Sequence, residues 1–225
     1  MEILVAKDIV GGLTATSKMP ESSYSISAFK CITGSKLALV PGSVCAGCYA
    51  LKGMYRFPNV KDAQAKRLRN LGNPRWTLAM ATLTAKNKYF RWFDSGDIQS
   101  LHMLVKIAAV ACLNPGTRYW LPTKEYAIIS EYRKRGGYEP PNFIIRVSAP
   151  MQNQRLNGRY GLTSMVIAHG QTVDADVVIC DASHTMKNGA KVKAITKDNR
   201  KLLGHCGDCR ACWNPTNKTT AYPIH

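Results

Sequence analysis

Acidic residues are scarce in this chain: 14 Asp and Glu stand against 31 Lys and Arg over 225 residues, a formal charge of +17. An excess of that size creates a field that attracts polyanions, so nucleic acid or an anionic substrate is the expected partner class. No single lysine or arginine tract dominates, and the same charge also reads as a generally basic surface. Long apolar runs are missing too. No stretch approaches the roughly 20 apolar residues that a bilayer crossing needs. Lys7 and Asp8 interrupt the opening apolar residues before a secretion-signal core can form. The expectation is a cytoplasmic chain with no membrane partner and with reduced thiols, which sets disulfide bonding aside. The five histidines, at positions 102, 169, 184, 205 and 225, lack paired metal spacing, and only His205, beside Cys206, is a spare ligand.

Cysteine is what the chain has in a pattern. Seven of the eight fall into two groups, Cys31-x13-Cys45-x2-Cys48 and Cys180-x25-Cys206-x2-Cys209-x2-Cys212. Thiolates separated by two residues converge from one tight loop on one face of a cubane, with a further ligand arriving from elsewhere in the chain. Cys45, Cys48, Cys206, Cys209 and Cys212 are therefore the core cofactor ligands expected, with Cys31 and Cys180 completing the metal set. The cofactor expected is a 4Fe-4S cluster, one or two of them. Zinc is the alternative, because Cys45 and Cys48 with Cys206 and Cys209 would make an ordinary four-thiolate tetrahedral site. The overlapping triplet favours iron and sulfur, since a tetrahedral zinc site has no use for Cys212. Cys112 sits in an apolar stretch at helical spacing, where a free cysteine packs as a small hydrophobe.

The length suits a single α/β domain over residues 1–225, with cysteine-rich segments at 31–53 and 180–213 packed on it. The first thirty residues are polar, with residues 22–27 an extended segment or loop. Helical patterns cover 61–68 and 75–83, separated by the breaker Gly72-Asn73-Pro74. From there strands at 89–93, 118–121 and 142–147 alternate with helices at 100–113 and 125–135, followed by strands at 164–168 and 177–180. Such alternation predicts parallel pairing through right-handed crossovers. It predicts an α/β fold, either a partial (β/α) barrel or an open parallel sheet, with the barrel favoured. In parallel folds the carboxyl ends of the strands gather where sites are built. That makes Asp94, Ser95, Asp97, Lys124, Glu125, Arg146 and Ser148 candidate pocket residues. Helix capping competes as the role of Asp97, Ser100 and Thr123. Arg91 and Arg146 lie within strands, where each needs a carboxylate, an anionic ligand or solvent.

Residues 40–53 around Cys45 and Cys48, 90–97 around Asp94, 119–126 around Lys124, 146–150 and 206–213 resemble the signature blocks of the phage "gene product 88-like" family, over about 31–222. The resemblance implies a bacteriophage origin and action inside a bacterial host, and no settled activity. A looser similarity is to radical S-adenosylmethionine enzymes, which combine a partial barrel with a three-cysteine 4Fe-4S cluster whose open iron binds that cofactor. Their loop reads Cys-x3-Cys-x2-Cys, whereas Pro41 stands here where its first cysteine would fall. Either Cys31 completes the N-terminal set, in which case a second cluster can use Cys180, Cys206, Cys209 and Cys212, or Cys45 and Cys48 join the C-terminal triplet around one cluster; the sequence leaves both open. The function expected is a phage iron-sulfur protein, as a redox or radical enzyme on an anionic substrate, with S-adenosylmethionine as a possible cofactor. The alternative is a non-catalytic nucleic-acid-binding protein with a structural metal.

Overall fold

Gly72, Asn73 and Pro74 end one helix and start another, as their residue types require. In the computed structural model, which describes residues 1–16, 19–168, 170–180, 182 and 205–224, helix α3 is Pro58–Asn70 and helix α4 is Trp76–Thr84. Pro58 occupies the first turn of α3, where its missing N–H costs nothing. Helix α5, Leu101–Leu113, is capped by Ser100, whose Oγ accepts a hydrogen bond from the Met103 N–H at 3.1 Å. Helix α6 is Tyr126–Lys134. Two further helices lie in the first forty residues, α1 (Ile3–Val10) and the short α2 (Ile32–Leu37). The polar composition read above does not reveal α1. It forms because Ala6 and Val10 are buried within the main core.

Among the described residues the strands are β1 (Thr14–Ala15), β2 (Ser22–Tyr24), β3 (Tyr89–Trp92), β4 (Arg118–Thr123), β5 (Phe143–Ser148), β6 (Thr163–Ile167), β7 (Val177–Ile179) and β8 (Thr219–Pro223). They form one sheet in the order β1-β2-β3-β4-β5-β6-β8-β7, parallel throughout except where β1 meets β2. The sheet is an open α/β sheet, which corrects the expectation of a partial barrel. Its edges are the two-residue β1 and the three-residue β7, and β8, absent from the expected strands, inserts between β6 and β7.

From β2 to β6 the spatial order follows the chain order, so right-handed crossovers place successive helices on the same side. That side carries the main core. Phe90 and Trp92 of β3, Tyr119 and Leu121 of β4 and Phe143, Ile145 and Val147 of β5 pack there against α1, α4, α5 and α6. Trp92 is fully buried, with Tyr119 stacked 6.1 Å from its ring and Phe90 edge-on at 5.0 Å. Each such ring brings several kcal/mol of transfer free energy to the fold. Alternate residues face the other way. Trp120 and Ile144 join Cys212, Trp213 and Met19 in a second, smaller core, which Cys206 and Tyr222 flank. The C-terminal cysteine loop thus covers the face of the sheet that the helices leave bare. Cys112 differs from expectation, for it is exposed on α5 and contributes nothing to the core.

Candidate metal centre

The N-terminal cysteines meet at the carboxyl end of the parallel strands. Cys31 is the residue just before α2, and the Cys48 N–H donates to the Cys45 carbonyl at 3.1 Å, closing the turn that brings the latter two thiols together. Gly34, in the first turn of α2, fixes the space between them. A Cβ there would lie 2.9 Å from the Cys31 Cβ and 3.6 Å from both the Cys31 and the Cys45 Sγ. The three cysteines line a cleft of about 180 Å³ together with Phe29, Ala38 and Leu51. That volume is below the roughly 300 Å³ at which small-molecule pockets begin.

Burial pushes the Cys31 thiol well above its ordinary range, and Asp97, Cys48, Cys45 and Glu125 add to the effect. Burial raises Cys45 as well, opposed in part by the Lys124 ammonium and reinforced by Cys48, Asp97 and Glu125. Protonated thiols can crowd together without repulsion, whereas thiolates require a cation to hold them there. Coordination to a metal supplies that cation and removes the protons.

The strand-end residues, expected to line the pocket, do not line this cleft; Asp97, Lys124 and Glu125 act on its thiols electrostatically from nearby. The Asp94 carboxylate accepts from the Ser23 hydroxyl at 2.6 Å and the Tyr55 hydroxyl at 3.2 Å, while its carbonyl accepts from Tyr49 at 2.6 Å. Ser95 donates to the Ile26 carbonyl at 3.0 Å. The turn between them and Asp97 needs Gly96, where φ is +83° and a Cβ would stand 2.4 Å from Ile26 Cγ1. Asp97 accepts from the Ile98 and Lys124 N–H groups, both at 2.8 Å, and burial pushes its carboxyl up to about 6 against the pull of those bonds. Glu125 accepts from the Thr33 N–H at 2.9 Å and the Thr33 hydroxyl at 2.7 Å. Its carboxylate thereby caps the α2 turn that carries Cys31 and Gly34. Thr123 Oγ1 accepts from the Glu125 N–H at 3.0 Å, closing the turn before α6, whose N-cap is Glu125 and not the expected Thr123. The Lys124 ammonium enters no ion pair or hydrogen bond among the described residues.

Arg146 and Ser148 face elsewhere. Arg146 is fully buried, and its guanidinium donates to the carbonyls of Cys212, Asn217, Thr163, Ala211 and Asn214 at 2.8–3.4 Å. Among the described residues no carboxylate partners it; through these carbonyls it fastens the C-terminal cysteine loop to β5. Ser148 shares a 3.0 Å hydrogen bond with the Ser164 hydroxyl, and its carbonyl accepts from Tyr126 at 2.6 Å.

In that loop the Cys209 N–H donates to the Cys206 carbonyl at 3.0 Å, and Cys212 Sγ lies 3.2 Å from the Tyr222 hydroxyl. Cys180 follows β7 directly, with its N–H on the Ala221 carbonyl at 2.8 Å. Burial, with Cys180 and Cys209 nearby, pushes Cys206 up to about 11. Burial pushes Cys212 up to about 12, although the Tyr222 hydrogen bond works against the shift. The thiols therefore fall into two sets, one facing Asp97 and Glu125 and the other facing Arg91 and Arg210. Among the described residues no group of three or more Cys, His, Asp or Glu side chains is arranged to hold a metal ion. His205 Nδ1 accepts from the Gly207 N–H at 3.0 Å. His169, His184 and His225, and most of the segment between Cys180 and His205, lie outside the described residues.

Sequence reasoning missed Thr33 and Gly34 and gave Trp120 and Tyr222 no part in the site. A glycine three residues after Cys31 was the one available signal for the first pair. Nothing local marks the second pair, because chain reversals far apart in sequence bring those residues to the C-terminal loop.

A family model described as Gene product 88 matches residues 12–215. Comparison with curated proteins and with solved structures finds no match to either. No helix among the described residues is long and apolar enough to cross a membrane.

Proposed function

The chain belongs to the Gene product 88 family, a bacteriophage protein family, and on that premise we propose that it is an iron-sulfur protein whose N-terminal centre binds a ligand. Cys31, Cys45 and Cys48 would hold three irons of a 4Fe-4S cluster and leave the fourth for an exogenous group. One observation carries the reading: Gly34 keeps side-chain volume out of the space between the Cys31 and Cys45 thiols, at the floor of a cleft. In a zinc site the sulfurs close to within about 3.8 Å of one another around bonds of about 2.3 Å. A cubane's thiolates each sit on a separate iron and stand further apart, and the Cys31 and Cys45 sulfurs on either side of the Gly34 position, with Cys48 in the same cleft, suit that spread.

The open corner has a cation beside it. Lys124 influences Cys45 electrostatically and enters no other ion pair among the described residues, so the ligand favoured there is anionic. A small carboxylate or other anion bound directly has the required charge; S-adenosylmethionine is cationic overall and offers Lys124 only its carboxylate, with the rest of the molecule outside a cleft of about 180 Å³. When bound, the cluster supplies one-electron redox chemistry to that ligand. The chain itself holds the thiols, fixes the Cys31 turn through Glu125 and Thr33, and places Lys124 near Cys45.

The second reading is a nucleic-acid-binding protein with a structural metal. It rests on charge, for between Glu21 and Asp62 the chain carries Lys30, Lys36, Lys52, Arg56 and Lys61 and no acidic residue. Electron paramagnetic resonance of the anaerobically reconstituted, reduced protein separates the two. A cluster signal that changes on adding S-adenosylmethionine or another carboxylate, and is lost in Cys45→Ser, supports the open iron. A protein that binds duplex or single-stranded DNA equally well before and after Cys45→Ser, with no cluster signal, supports the second reading.

A further inference from the structure

Trp120 is 4% exposed, and its indole N–H, a group that can only donate, is buried without a partner among the described residues. The Arg91 Nε, on the neighbouring strand, is in the same condition. The two side chains form one unit, with the guanidinium carbon 4.8 Å from the Trp120 ring centre and Arg91 aligned with Trp120 in the β3–β4 register. Each buried unsatisfied donor costs roughly 1–3 kcal/mol; the Trp76 and Trp92 N–H groups of the main core are unpartnered in the same way, and what sets Arg91 and Trp120 apart is the cysteine loop beside them. Among the described residues Arg91 makes one side-chain hydrogen bond, to the Met19 sulfur at 3.9 Å, and no ion pair, with Tyr49, Asp94, Tyr222 and Cys212 acting on it electrostatically.

What surrounds this unit is the C-terminal cysteine loop. Trp120 packs in one cluster with Cys212, Trp213 and Cys206. Its ring lies edge-to-face with Trp213 at 5.3 Å and stacks on Tyr222 at 6.2 Å, and the Tyr222 hydroxyl is 3.2 Å from Cys212 Sγ. Arg146 holds the loop to the sheet through the carbonyls of Ala211, Cys212 and Asn214. Orphaned N–H donors and a guanidinium therefore share the face that the C-terminal loop covers with Cys206 and Cys212, near which Cys180 and Cys209 lie, apart from the cleft lined by Cys31, Cys45 and Cys48.

We propose that Cys180, Cys206, Cys209 and Cys212 hold a second iron-sulfur cluster, separate from the N-terminal one, and that Arg91 and Trp120 are hydrogen-bond donors to its sulfurs. The proposal rests on the iron-sulfur reading above and deepens it. Four thiolates occupy all four irons of a cubane, so this centre has no corner for substrate and serves to carry electrons. It would accept one electron from an external one-electron reductant and pass it to the N-terminal cluster, which is reduced as this one is reoxidised, with no bond made or broken. Donors and positive charge at the sulfurs favour the reduced, more negative state and raise the potential. Arg91 and Trp120 are thus positioning and tuning residues for the cluster, without contact to a substrate.

The test uses the full chain, reconstituted anaerobically with iron and sulfide and poised by redox titration under electron paramagnetic resonance. The wild type should hold about eight irons, four in each of two 4Fe-4S clusters, and titrate in two steps. Cys206→Ser with Cys209→Ser and Cys212→Ser should keep about half the iron and one step, and so should the triple replacement of Cys31, Cys45 and Cys48. Arg91→Met and Trp120→Phe leave every cysteine in place; they should keep full iron and move one midpoint downward, with Arg91→Lys moving it less. Loss of all iron in either triple variant would mean one shared cluster and overturn the proposal. Full iron in the C-terminal triple variant would overturn it too, and an unmoved midpoint in Arg91→Met and Trp120→Phe would refute the donor assignment. Wild-type protein with no acid-labile sulfide is a different failure, that of the iron-sulfur reading itself.

Discussion

Glu125 holds Thr33 by both carboxylate oxygens, one on the backbone N–H at 2.9 Å and one on the hydroxyl at 2.7 Å, across 92 residues of chain. Thr33 lies two residues after Cys31 and next to Gly34, so a side chain at the end of β4 sets where the first thiol stands. Glu125→Ala should therefore lower iron loading of the N-terminal centre several-fold, and Glu125→Gln, which keeps one carbonyl acceptor, should lower it less. Iron per chain and the amplitude of the ligand-sensitive resonance measure this. Equal loading in Glu125→Ala and wild type would remove Glu125 from the site.

Gly34→Ala separates the cradle from helix stability. Alanine in a helix is favoured over glycine by about 1 kcal/mol, which offsets the local shift that a Cβ 2.9 Å from the Cys31 Cβ demands, so the thermal midpoint should stay close to wild type. The new Cβ enters the space flanked by the Cys31 and Cys45 sulfurs, and cluster loading should fall. Melting curves alongside iron analysis check the pair of outcomes, and a fall in both would mean the helix was simply disrupted.

Arg146 donates to five carbonyls from a fully buried position. Arg146→Met should leave those carbonyls short of donors and destabilise the chain by about 3–5 kcal/mol. Denaturant unfolding of the metal-free protein measures it. A loss under 1 kcal/mol would mean the loop is held by its apolar contacts instead.

Asp97 gives a pH dependence of defined sign. Burial raises its carboxyl from 3.8 to about 6, so between those values the folded chain binds more protons than the unfolded one. Stability should then fall as pH rises from 4 to above 6, by roughly 3 kcal/mol for this group. Unfolding curves at pH 4.5 and 7, compared with Asp97→Asn, isolate the effect. An identical pH slope in the two proteins would contradict it.

The strands and helices from Pro58 to Ile179 were legible because each has its own period and punctuation, such as Ser100 before α5 and the Gly72-Asn73-Pro74 break. Helix α1 was not, since its stability comes from burying Ala6 and Val10 in the main core and not from its own sequence. Strand β8 was missed for a similar reason: Thr219–Pro223 is polar at its start, and pairing with both β6 and β7 makes it a strand. Barrel closure could not be read from alternation alone, because the same βα order serves an open sheet. At the site, cysteine spacing showed the two groups. It left open whether they share a cluster, a question of where β4, β5 and the C-terminal loop stand in space.

The central claim is that the N-terminal thiols hold iron and sulfide. Its most direct measurement is iron, acid-labile sulfide and zinc per chain after anaerobic purification, in wild type, Cys45→Ser and Cys112→Ser. The account predicts iron and sulfide in equal amounts in wild type and Cys112→Ser, reduced by about half in Cys45→Ser. Zinc without sulfide, or the same metal content in all three proteins, would contradict it.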